Sequence, residues 1–278
     1  MSIAYYNGDF CDFSKVRVPL SDRAVFFGDG IYDAAIGREG RVYLEDDHLD
    51  RFFSNAAKIG IPIKTKRKEL SELIRSLISK NGFDEYFIYL QMTRFSKERT
   101  HSYPNTEISN LLITLKEHSL PAPDKELKLI TLPDLRYSMC NVKTLNLLPA
   151  VLASKKAEEA GCDEAVFVRD GAVTECAHSN IHIIKDGVLY THPNGKFILP
   201  GITRKRLLYF CERLGVPIKE TPFTKSELYC ADEVLVTSTT KLCLKATEID
   251  GKSVKNSDSV VGKKLISALF EDFSKKVC

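Results

Sequence analysis

The sequence predicts an α+β protein of two domains: a small α+β domain, then a larger domain whose mainly antiparallel β core is flanked by helices. Three observations predict this class. Apolar residues recur at helical spacing in several segments, and short runs rich in aromatic and branched residues lie between them. In the second half, Asp-Gly pairs separate strand-like runs, as in antiparallel hairpins. The length of 278 residues fits about two domains.

The first half contains two predicted helices and two predicted strands. Between Glu45 and Ile61 the apolar residues fall on one helical face, and the pattern repeats more regularly over Leu70–Ile78. Strands are predicted at Tyr86–Thr93 and Leu111–Leu115, which are rich in aromatic and branched residues. These elements together indicate the small α+β domain.

The segment 116–124 breaks every periodic pattern and carries two prolines, which is typical of an interdomain linker. We therefore expect a small domain over residues 1–118, a linker over 119–124 and a large domain over 125–278.

The large domain is expected to combine hairpins with helices. Its turns are predicted at Asp170-Gly171, Asp186-Gly187 and Asp250-Gly251, beside strands such as Glu164–Val168 and Ile181–Ile184. Helical patterns occupy Val151–Ala160, Thr203–Leu214 and Val260–Phe273.

The composition excludes several classes of protein. The eight cysteines show no CxxC pair or metal-ligand spacing, so we expect reduced thiols and no metal site. The net charge is only +3, and the basic stretch Lys64–Lys68 has no interleaved aromatic residue, which argues against nucleic-acid binding. Charges interrupt every apolar stretch, and the first residues do not resemble a secretion leader. We therefore expect no membrane association and a cytoplasmic location.

Two residues are candidates for covalent and electrostatic chemistry. Lys143 lies among Val142, Leu145 and further leucines, and burial can lower a lysine pKa enough to make its amine a nucleophile. The alternative is a lysine that extends to solvent from the end of a strand. Glu175 follows the hairpin strand that begins after Asp170-Gly171, where it is either exposed or a partner for a protonated ring nitrogen.

Two further segments are candidate anion sites. Leu199–Arg204, the helix anion site, is a Pro-Gly turn that leads into a helix, where free amides and the helix dipole attract anions. Arg204, Lys205 and Arg206 oppose that dipole, and a bound anion would relieve the conflict. Thr237–Thr240, the hydroxyl turn, ends the apolar run Val234–Val236. Each also has a purely structural interpretation as an ordinary turn.

Taken in order, these segments resemble the fold-type IV enzymes that depend on pyridoxal 5′-phosphate (PLP), the class IV aminotransferases. The resemblance spans nearly the whole chain, and an amine, a carboxylate and two anion sites are the parts that PLP needs. The matching stretches are Ser21–Asp33, His48–Arg51, Lys143–Leu147, Val173–Glu175 with Ser179-Asn180, Leu199–Arg204 and Thr237–Thr240.

The resemblance implies a role for each candidate residue. Lys143 would be the Schiff-base lysine and proton shuttle, and Glu175 the partner of the pyridine nitrogen. Leu199 would pack on the cofactor ring. Family members are homodimers, so a homodimer is the expected assembly. The phosphate would be bound by Arg51, Ile202, Thr203, Ser238 and Thr239.

The stretch Arg94–Pro104 indicates the branch of the family. Arg99 and His101 resemble the Arg-x-His pair with which D-amino acid aminotransferases hold the substrate α-carboxylate, and Tyr32 matches the tyrosine of that site. One departure is Cys176–His178, where those enzymes have a serine-rich stretch. His178 is therefore a candidate substrate-binding residue or a space-filling one.

The implied reaction is ping-pong transamination of D-amino acids such as D-alanine, with 2-oxoglutarate or pyruvate as the acceptor. Two alternatives on the same cofactor remain, an L-branched-chain aminotransferase and an aminodeoxychorismate lyase. A non-catalytic binding protein that kept the fold is a third alternative, because fold does not determine function.

Overall fold

A computed structural model describes residues 2–103, 107–255 and 260–277. Its contacts divide the chain into two compact units. Unit 1 comprises Met1–Ser119, Val142–Asn146 and Lys276–Cys278, and unit 2 comprises Leu120–Asn141 and Leu147–Lys275. We keep the linker at 119–124 as a proposal. The segment Val142–Asn146, placed by sequence in the large domain, groups with unit 1.

Unit 1 is one antiparallel sheet covered by two helices. The elements are β1 (Ile3–Tyr6), β2 (Asp9–Asp12), α1 (Arg23–Phe27), β3 (Gly30–Arg38), β4 (Arg41–Val42), α2 (Glu45–Lys58), α3 (Arg67–Asn81), β5 (Glu85–Thr93) and β6 (Asn110–Glu117). The sheet has the order β2-β1-β6-β5-β3-β4. Both predicted helices and both predicted strands are confirmed, as α2, α3, β5 and β6.

The helix α2 forms because its apolar residues share one face and its first turn is acidic. Leu49, Phe52 and Ala56 are buried in the core of unit 1. Glu45, Asp46 and Asp47 lie at the positive end of the helix dipole, which they stabilise. The helix thereby presents His48 and Arg51, one turn further on, to the sheet.

Unit 2 is built on a ten-stranded sheet. The strands are β7 (Glu126–Pro133), β8 (Glu164–Arg169), β9 (Ala172–Cys176), β10 (Asn180–Lys185), β11 (Val188–Thr191), β12 (Ile218–Glu220), β13 (Phe223–Thr224), β14 (Glu233–Ser238), β15 (Leu242–Ile249) and β16 (Lys252–Ser253). The helices are α4 (Leu148–Glu159), α5 (Ile202–Arg213), α6 (Lys225–Tyr229) and α7 (Val260–Val277).

The strand order in this sheet is β12-β11-β10-β14-β15-β7-β8-β9-β13, with β16 paired to β15. The pairs β11–β12, β15–β7 and β7–β8 are parallel and the others are antiparallel, which confirms a mainly antiparallel core.

The three Asp-Gly turns are confirmed as the hairpin connections β8–β9, β10–β11 and β15–β16. In each pair both residues have positive φ, for example 50° at Asp170 and 80° at Gly171. This is the backbone that a two-residue turn needs to match the twist of the strands. The first of these hairpins brings Glu175 to the end of β9.

The three predicted helices of the second half are also confirmed, as α4, α5 and α7. The helix α5 packs Leu207 and Cys211 against one face of the sheet, together with Leu235 of β14. No helix among the described residues is long and apolar enough to cross a membrane. The seven cysteines that the structure describes are free thiols, and Cys278 lies outside the described residues.

Candidate active site

Lys143 lies on a segment that pairs with the first residues of β3. Tyr32 donates its backbone N–H to the Lys143 carbonyl at 2.9 Å, and Thr144 bridges to Ile31. The Lys143 ammonium lies 4.1 Å from the centre of the Tyr32 ring, a cation–π contact. A Cβ at Gly30 would lie 2.8 Å from the Met92 backbone carbonyl oxygen and 2.6 Å from a Leu145 methyl, so β3 needs glycine at this position. Lys143 and Tyr32 are therefore held side by side.

A buried ion pair lies one residue further along β3. Arg51 Nε donates to Asp33 Oδ2 at 2.8 Å and Arg51 Nη2 to Oδ1 at 2.8 Å. His48 Nδ1 lies 2.8 Å from Asp33 Oδ1. Burial raises the pKa of the Asp33 carboxyl, but the Arg51 guanidinium and His48 outweigh burial and hold that pKa well below its usual range. The orientation of Arg51 is thereby fixed by a residue that the sequence analysis did not single out.

The pKa of the His48 imidazole is lowered from its ordinary value. Burial is the largest cause, and the positive charges of Arg51 and Lys143 lower this pKa further, whereas the hydrogen bond and the charge of Asp33 raise it. The shift favours the neutral imidazole, which can donate through Nδ1–H to Asp33 without adding charge.

Arg99 and His101, the predicted carboxylate pair, are exposed and lie against the same aromatic ring. The Arg99 guanidinium is 5.2 Å from the centre of the Phe27 ring, and the His101 ring is 5.3 Å from it. Arg23 holds this loop by donating to the carbonyl oxygens of Thr100 at 2.6 Å and His101 at 3.2 Å. The ring contacts of Tyr32, in contrast, are with Lys143 and Tyr89. Pro104, the last residue of the predicted stretch, lies outside the described residues.

Glu175 is the centre of the polar network in unit 2. It is buried at the end of β9, where Oε2 accepts from the Asn180 side-chain amide and from the Leu199 backbone N–H, each at 3.0 Å. Oε1 accepts from Arg136 in a short ion pair. Asn180 donates also to the Leu199 carbonyl at 3.0 Å, which ties the loop before α5 to this carboxylate. Glu175 is thus buried and oriented, not exposed on the hairpin.

Arg136 and its partner Asp134 were not predicted from the sequence. Arg136 donates to both oxygens of Asp134 at 2.9 Å and stacks 4.6 Å above the Phe167 ring. Burial lowers the pKa of the Arg136 guanidinium, but hydrogen bonds to Asp134 and the charge of Glu175 raise this pKa by more. Burial raises the pKa of the Asp134 carboxyl, but the hydrogen bonds and charge of Arg136 lower it by more. The only sequence signal was an acidic and a basic residue two positions apart after β7.

The helix anion site contains the predicted turn and helix. Gly201 is the N-cap residue of α5 and, having no side chain, makes no capping hydrogen bond to the first turn. Ile202 and Thr203 are buried in its first turn. A Cβ at Gly201 would lie 2.0 Å from Asn180 Oδ1, so the helix begins in direct contact with the residue that holds Glu175.

The structure corrects the interpretation of the basic residues in α5. Arg204 turns away from the helix start, donating to Glu220 at 2.7 Å and to the His192 carbonyl at 2.9 Å. Arg206 pairs with Asp272 of α7. These carboxylates offset the conflict with the helix dipole, so it does not by itself require a bound anion.

The hydroxyl turn begins beside Asn180, the residue that contacts Gly201 at the start of α5, because Asn180 of β10 is paired with Thr237 of β14. Thr237 itself is buried and bonded to His182 Nε2 at 2.9 Å, while His182 Nδ1 lies 2.9 Å from the Thr191 hydroxyl. Burial lowers the pKa of His182 to about 3, with a further contribution from Arg204. The Ser238 and Thr240 hydroxyls lie 3.5 Å apart.

His178 is held by a buried glutamate. Its Nδ1 lies 3.1 Å from Glu164 Oε1, and half of its side chain is exposed. The other oxygen of Glu164 binds Lys241, directly after the hydroxyl turn, at 2.6 Å. Neither Glu164 nor Lys241 was predicted from the sequence.

These residues fit a PLP-type cofactor. A buried, hydrogen-bonded carboxylate suits a protonated ring nitrogen, and an uncapped helix start with nearby hydroxyls suits a phosphate. Within the described residues no cluster of three or more metal-ligand side chains occurs.

The chain belongs to the class IV aminotransferases, whose family model matches residues 30–249. It is an aminotransferase, and enzymes of this family depend on PLP. Among curated relatives, a D-alanine aminotransferase of Staphylococcus haemolyticus is 36% identical over 280 residues, covering 100% of this chain and 98% of the relative. The D-alanine aminotransferase of Bacillus licheniformis is 37% identical over 255 residues, or 90% of this chain and 89% of the relative.

Solved structures confirm the fold. A branched-chain aminotransferase of Thermoproteus uzoniensis, solved with norvaline, superposes with a TM-score of 0.90 at 23% identity, covering 99% of this chain and 96% of that one. A putative 4-amino-4-deoxychorismate lyase of Legionella pneumophila superposes with a TM-score of 0.86 at 24% identity, covering 94% and 97%. At these identities the likeness concerns the fold alone.

Proposed function

We propose that this chain transfers the amino group of D-amino acids, D-alanine among them, to a 2-oxo acid by a ping-pong mechanism. The observation that carries the proposal is Glu175, a buried carboxylate held by Arg136, Asn180 and the Leu199 amide. The names of the D-alanine aminotransferases at 36–37% identity support the choice of D-amino acids.

Bound PLP would supply an electron sink for the negative charge that remains at the substrate Cα after its proton is lost. Glu175 is proposed to pair with the ring nitrogen and keep it protonated, and Leu199 to pack on the ring. Lys143 Nζ is proposed to act as the proton shuttle: it accepts the proton that leaves the substrate Cα and donates it again later in the reaction. The Tyr32 ring beside Nζ restricts the directions that this amine can take.

The phosphate is assigned to the helix anion site and the hydroxyl turn, through the residues Ile202, Thr203, Ser238 and Thr239. Amides at an uncapped helix start donate to phosphate oxygens, and the helix dipole favours the negative charge. Arg51 is proposed to add a guanidinium, whose orientation Asp33 and His48 fix.

The substrate α-carboxylate is assigned to Arg99, His101 and Tyr32. Arg99 and His101 lie on one exposed loop, where both contact Phe27, and their N–H groups are proposed to donate to a carboxylate. His178 is proposed to contact the rest of the substrate. A fixed carboxylate determines which face of Cα meets Lys143, and therefore which enantiomer reacts.

The proposed assembly is a homodimer. The helix α4 buries Ala150, Ala153 and Ala157 against the sheet and exposes Leu148, Val151 and Leu152. Adjacent exposed apolar side chains of this kind are typical of a surface that a second subunit covers. The scattered, unpaired cysteines support a reducing compartment, the cytoplasm.

The test follows the visible absorbance of the purified, PLP-loaded protein during separate additions of D-alanine and L-alanine. We expect D-alanine to bleach the absorbance and a 2-oxo acid to restore it. Bleaching by L-alanine alone would refute the assignment to D-amino acids. Parallel assays with L-leucine and aminodeoxychorismate distinguish the two other branches, and a protein that binds no PLP would refute catalysis altogether.

A further inference from the structure

Arg23, the first residue of α1, is a buried arginine that the proposed function does not use. It belongs to the stretch Ser21–Asp33, from which that function takes Tyr32 and Asp33 and leaves Arg23 without a role. The Arg23 side chain is 5% exposed and donates from Nε to Asp29 Oδ2 at 2.7 Å. Because arginine is seldom buried without partners, the two remaining nitrogens of its guanidinium must be bound as well.

Those two nitrogens bind the loop that carries the proposed carboxylate pair, here called the Arg99 loop (residues 96–103). Nη1 of Arg23 donates to the Thr100 carbonyl at 2.6 Å, and Nη2 donates to the His101 carbonyl at 3.2 Å. The Arg23 backbone N–H donates to the carbonyl of Phe95, directly before the loop, at 3.2 Å. One residue thus binds both the start of the Arg99 loop and its middle.

The Arg99 loop depends on such an anchor because it buries none of its own residues. All its residues are exposed, and residues 97–103 form no helix or strand. Ordering a backbone without burial must be offset by hydrogen bonds. The carbonyls that Arg23 binds belong to Thr100, which follows Arg99, and to His101 itself. Fixing them fixes the backbone from which both proposed carboxylate donors extend.

Asp29 holds Arg23 in place and is itself held by a second arginine. Arg94 donates from Nε to Asp29 Oδ2 at 2.9 Å, and from Nη1 and Nη2 to the carbonyls of Gly60 and Ile59 at 2.7 and 2.8 Å. The last two residues directly follow α2. The carboxylate that orients Arg23 is therefore tied to the helical layer of unit 1.

Phe27 contacts the same side chains. Its ring centre lies 4.7 Å from the Arg23 guanidinium, 5.2 Å from the Arg99 guanidinium and 5.3 Å from the His101 ring. Arg23 therefore supports the Arg99 loop in two ways, through the loop backbone and through the ring that the loop side chains contact.

We propose that Arg23, oriented by Asp29, is a positioning residue for substrate binding, which holds the Arg99 loop so that Arg99 and His101 meet the α-carboxylate. Arg23 does not touch the substrate itself. This inference rests on the proposed function, because it assumes that these two side chains bind the carboxylate. The carboxylate is bound both before and during the reaction, so loss of this positioning should raise KM more than it lowers kcat.

The first test measures how fast D-alanine, over a range of concentrations, bleaches the absorbance of the PLP-loaded enzyme. In Arg23→Gln the half-saturating concentration should rise at least about tenfold, because charge-assisted hydrogen bonds to the loop are lost. The limiting rate should change less than about threefold. Asp29 keeps its ion pair with Arg94 in this variant, so no buried carboxylate is left without a cation.

Two controls separate positioning from general damage. Arg38→Gln removes an arginine that pairs with Glu85 at the far end of β3, and it should leave the half-saturating concentration unchanged. Hydroxylamine reacts with PLP but has no carboxylate, so it should bleach Arg23→Gln and the original protein at the same rate. An unchanged half-saturating concentration in Arg23→Gln, or an equal slowing with hydroxylamine, would overturn the proposal.

The second test needs no substrate. Trypsin cuts after lysine and arginine only where the backbone can leave its native position, and Lys97 and Arg99 both lie on the exposed loop. In the PLP-loaded protein, cleavage after these two residues should be about tenfold faster in Arg23→Gln and unchanged in Arg38→Gln, as followed by mass spectrometry. Equal cleavage of all three proteins would show that Arg23 does not anchor the loop.

The two proposals fail in different ways. If D-alanine bleaches the original protein and Arg23→Gln at the same half-saturating concentration, the positioning role is overturned and the proposed function stands. If no D-amino acid bleaches the original PLP-loaded protein, the proposed function is overturned, whatever the result with trypsin.

Discussion

Replacing Arg136 with glutamine should destabilise the protein more than any neighbouring charge change. The guanidinium of Arg136 contacts two carboxylates, Asp134 and Glu175, whose side chains are 0% and 7% exposed. Removing one partner of a buried ion pair costs about 3–5 kcal/mol; here Glu175 stays buried after it loses the guanidinium, while Asp134 keeps its ion pair with Arg169. We expect a loss of that size in the free energy of unfolding, measured by urea denaturation.

Arg169→Gln is the matched control. Arg169 also pairs with Asp134, at 3.2 Å, but its other contacts are with the Arg136 carbonyl and the Phe197 ring. Asp134 keeps Arg136 in this variant, so the expected loss is roughly 1–2 kcal/mol. Arg136→Gln should also weaken PLP binding about tenfold, because Glu175 loses one of its donors. Equal losses in the two variants would refute the view that Arg136 serves both carboxylates.

Three further changes have definite expected outcomes. Gly201→Ala places a Cβ where Asn180 Oδ1 lies 2.0 Å away, so Asn180 must move from Glu175, and PLP affinity, measured by absorbance titration, should fall about tenfold or more. The pKa of His182 is lowered to about 3 from 6.5, so the unfolded chain binds a proton below pH 6.5 that the folded chain does not. Stability should therefore fall by about 1.4 kcal/mol per pH unit on acidification from pH 6.5 towards 3, and His182→Gln should remove this dependence in urea unfolding at several pH values. In Lys143→Ala, borohydride treatment with PLP should leave no label at position 143 when digested peptides are analysed by mass spectrometry.

Each of these changes has a control or a contradicting outcome. Gly195→Ala adds a Cβ that meets nothing within 4 Å and should leave PLP affinity unchanged. A pH dependence in His182→Gln equal to that of the original protein would show that other groups are responsible. Label on a different lysine of the original protein would contradict the assignment of Lys143.

The sequence predicted the elements that have local signals. The Asp-Gly turns were identified because two consecutive positive φ values favour those residue types, and α2 and α3 were identified because burial repeats along one helical face. The turn before α5 and the turn after β14 were predicted for the same reason, since each lies at the end of an element; their role as anion sites stays a prediction. These features depend on neighbours a few residues apart.

The interactions that the sequence did not predict are long-range. Arg136 and Glu175 are 39 residues apart, and Lys241 and Glu164 are 77 apart. A charged residue in isolation gives no sign of its partner, and its usual location is the surface. The grouping of Val142–Asn146 with unit 1 was missed for the same reason, because a five-residue segment has too little periodicity to reveal a pairing with Ile31 and Tyr32.

That short pairing also has a consequence for biosynthesis. Until the ribosome has released residue 146, the Tyr32 amide has no Lys143 carbonyl to bond, and this part of β3 remains an open strand edge. A fragment that stops at residue 119 would keep that edge permanently, and open edges recruit other strands. Truncation at the apparent boundary should therefore yield an N-terminal piece prone to aggregation, whereas a longer fragment that reaches Asn146 can pair the first residues of β3.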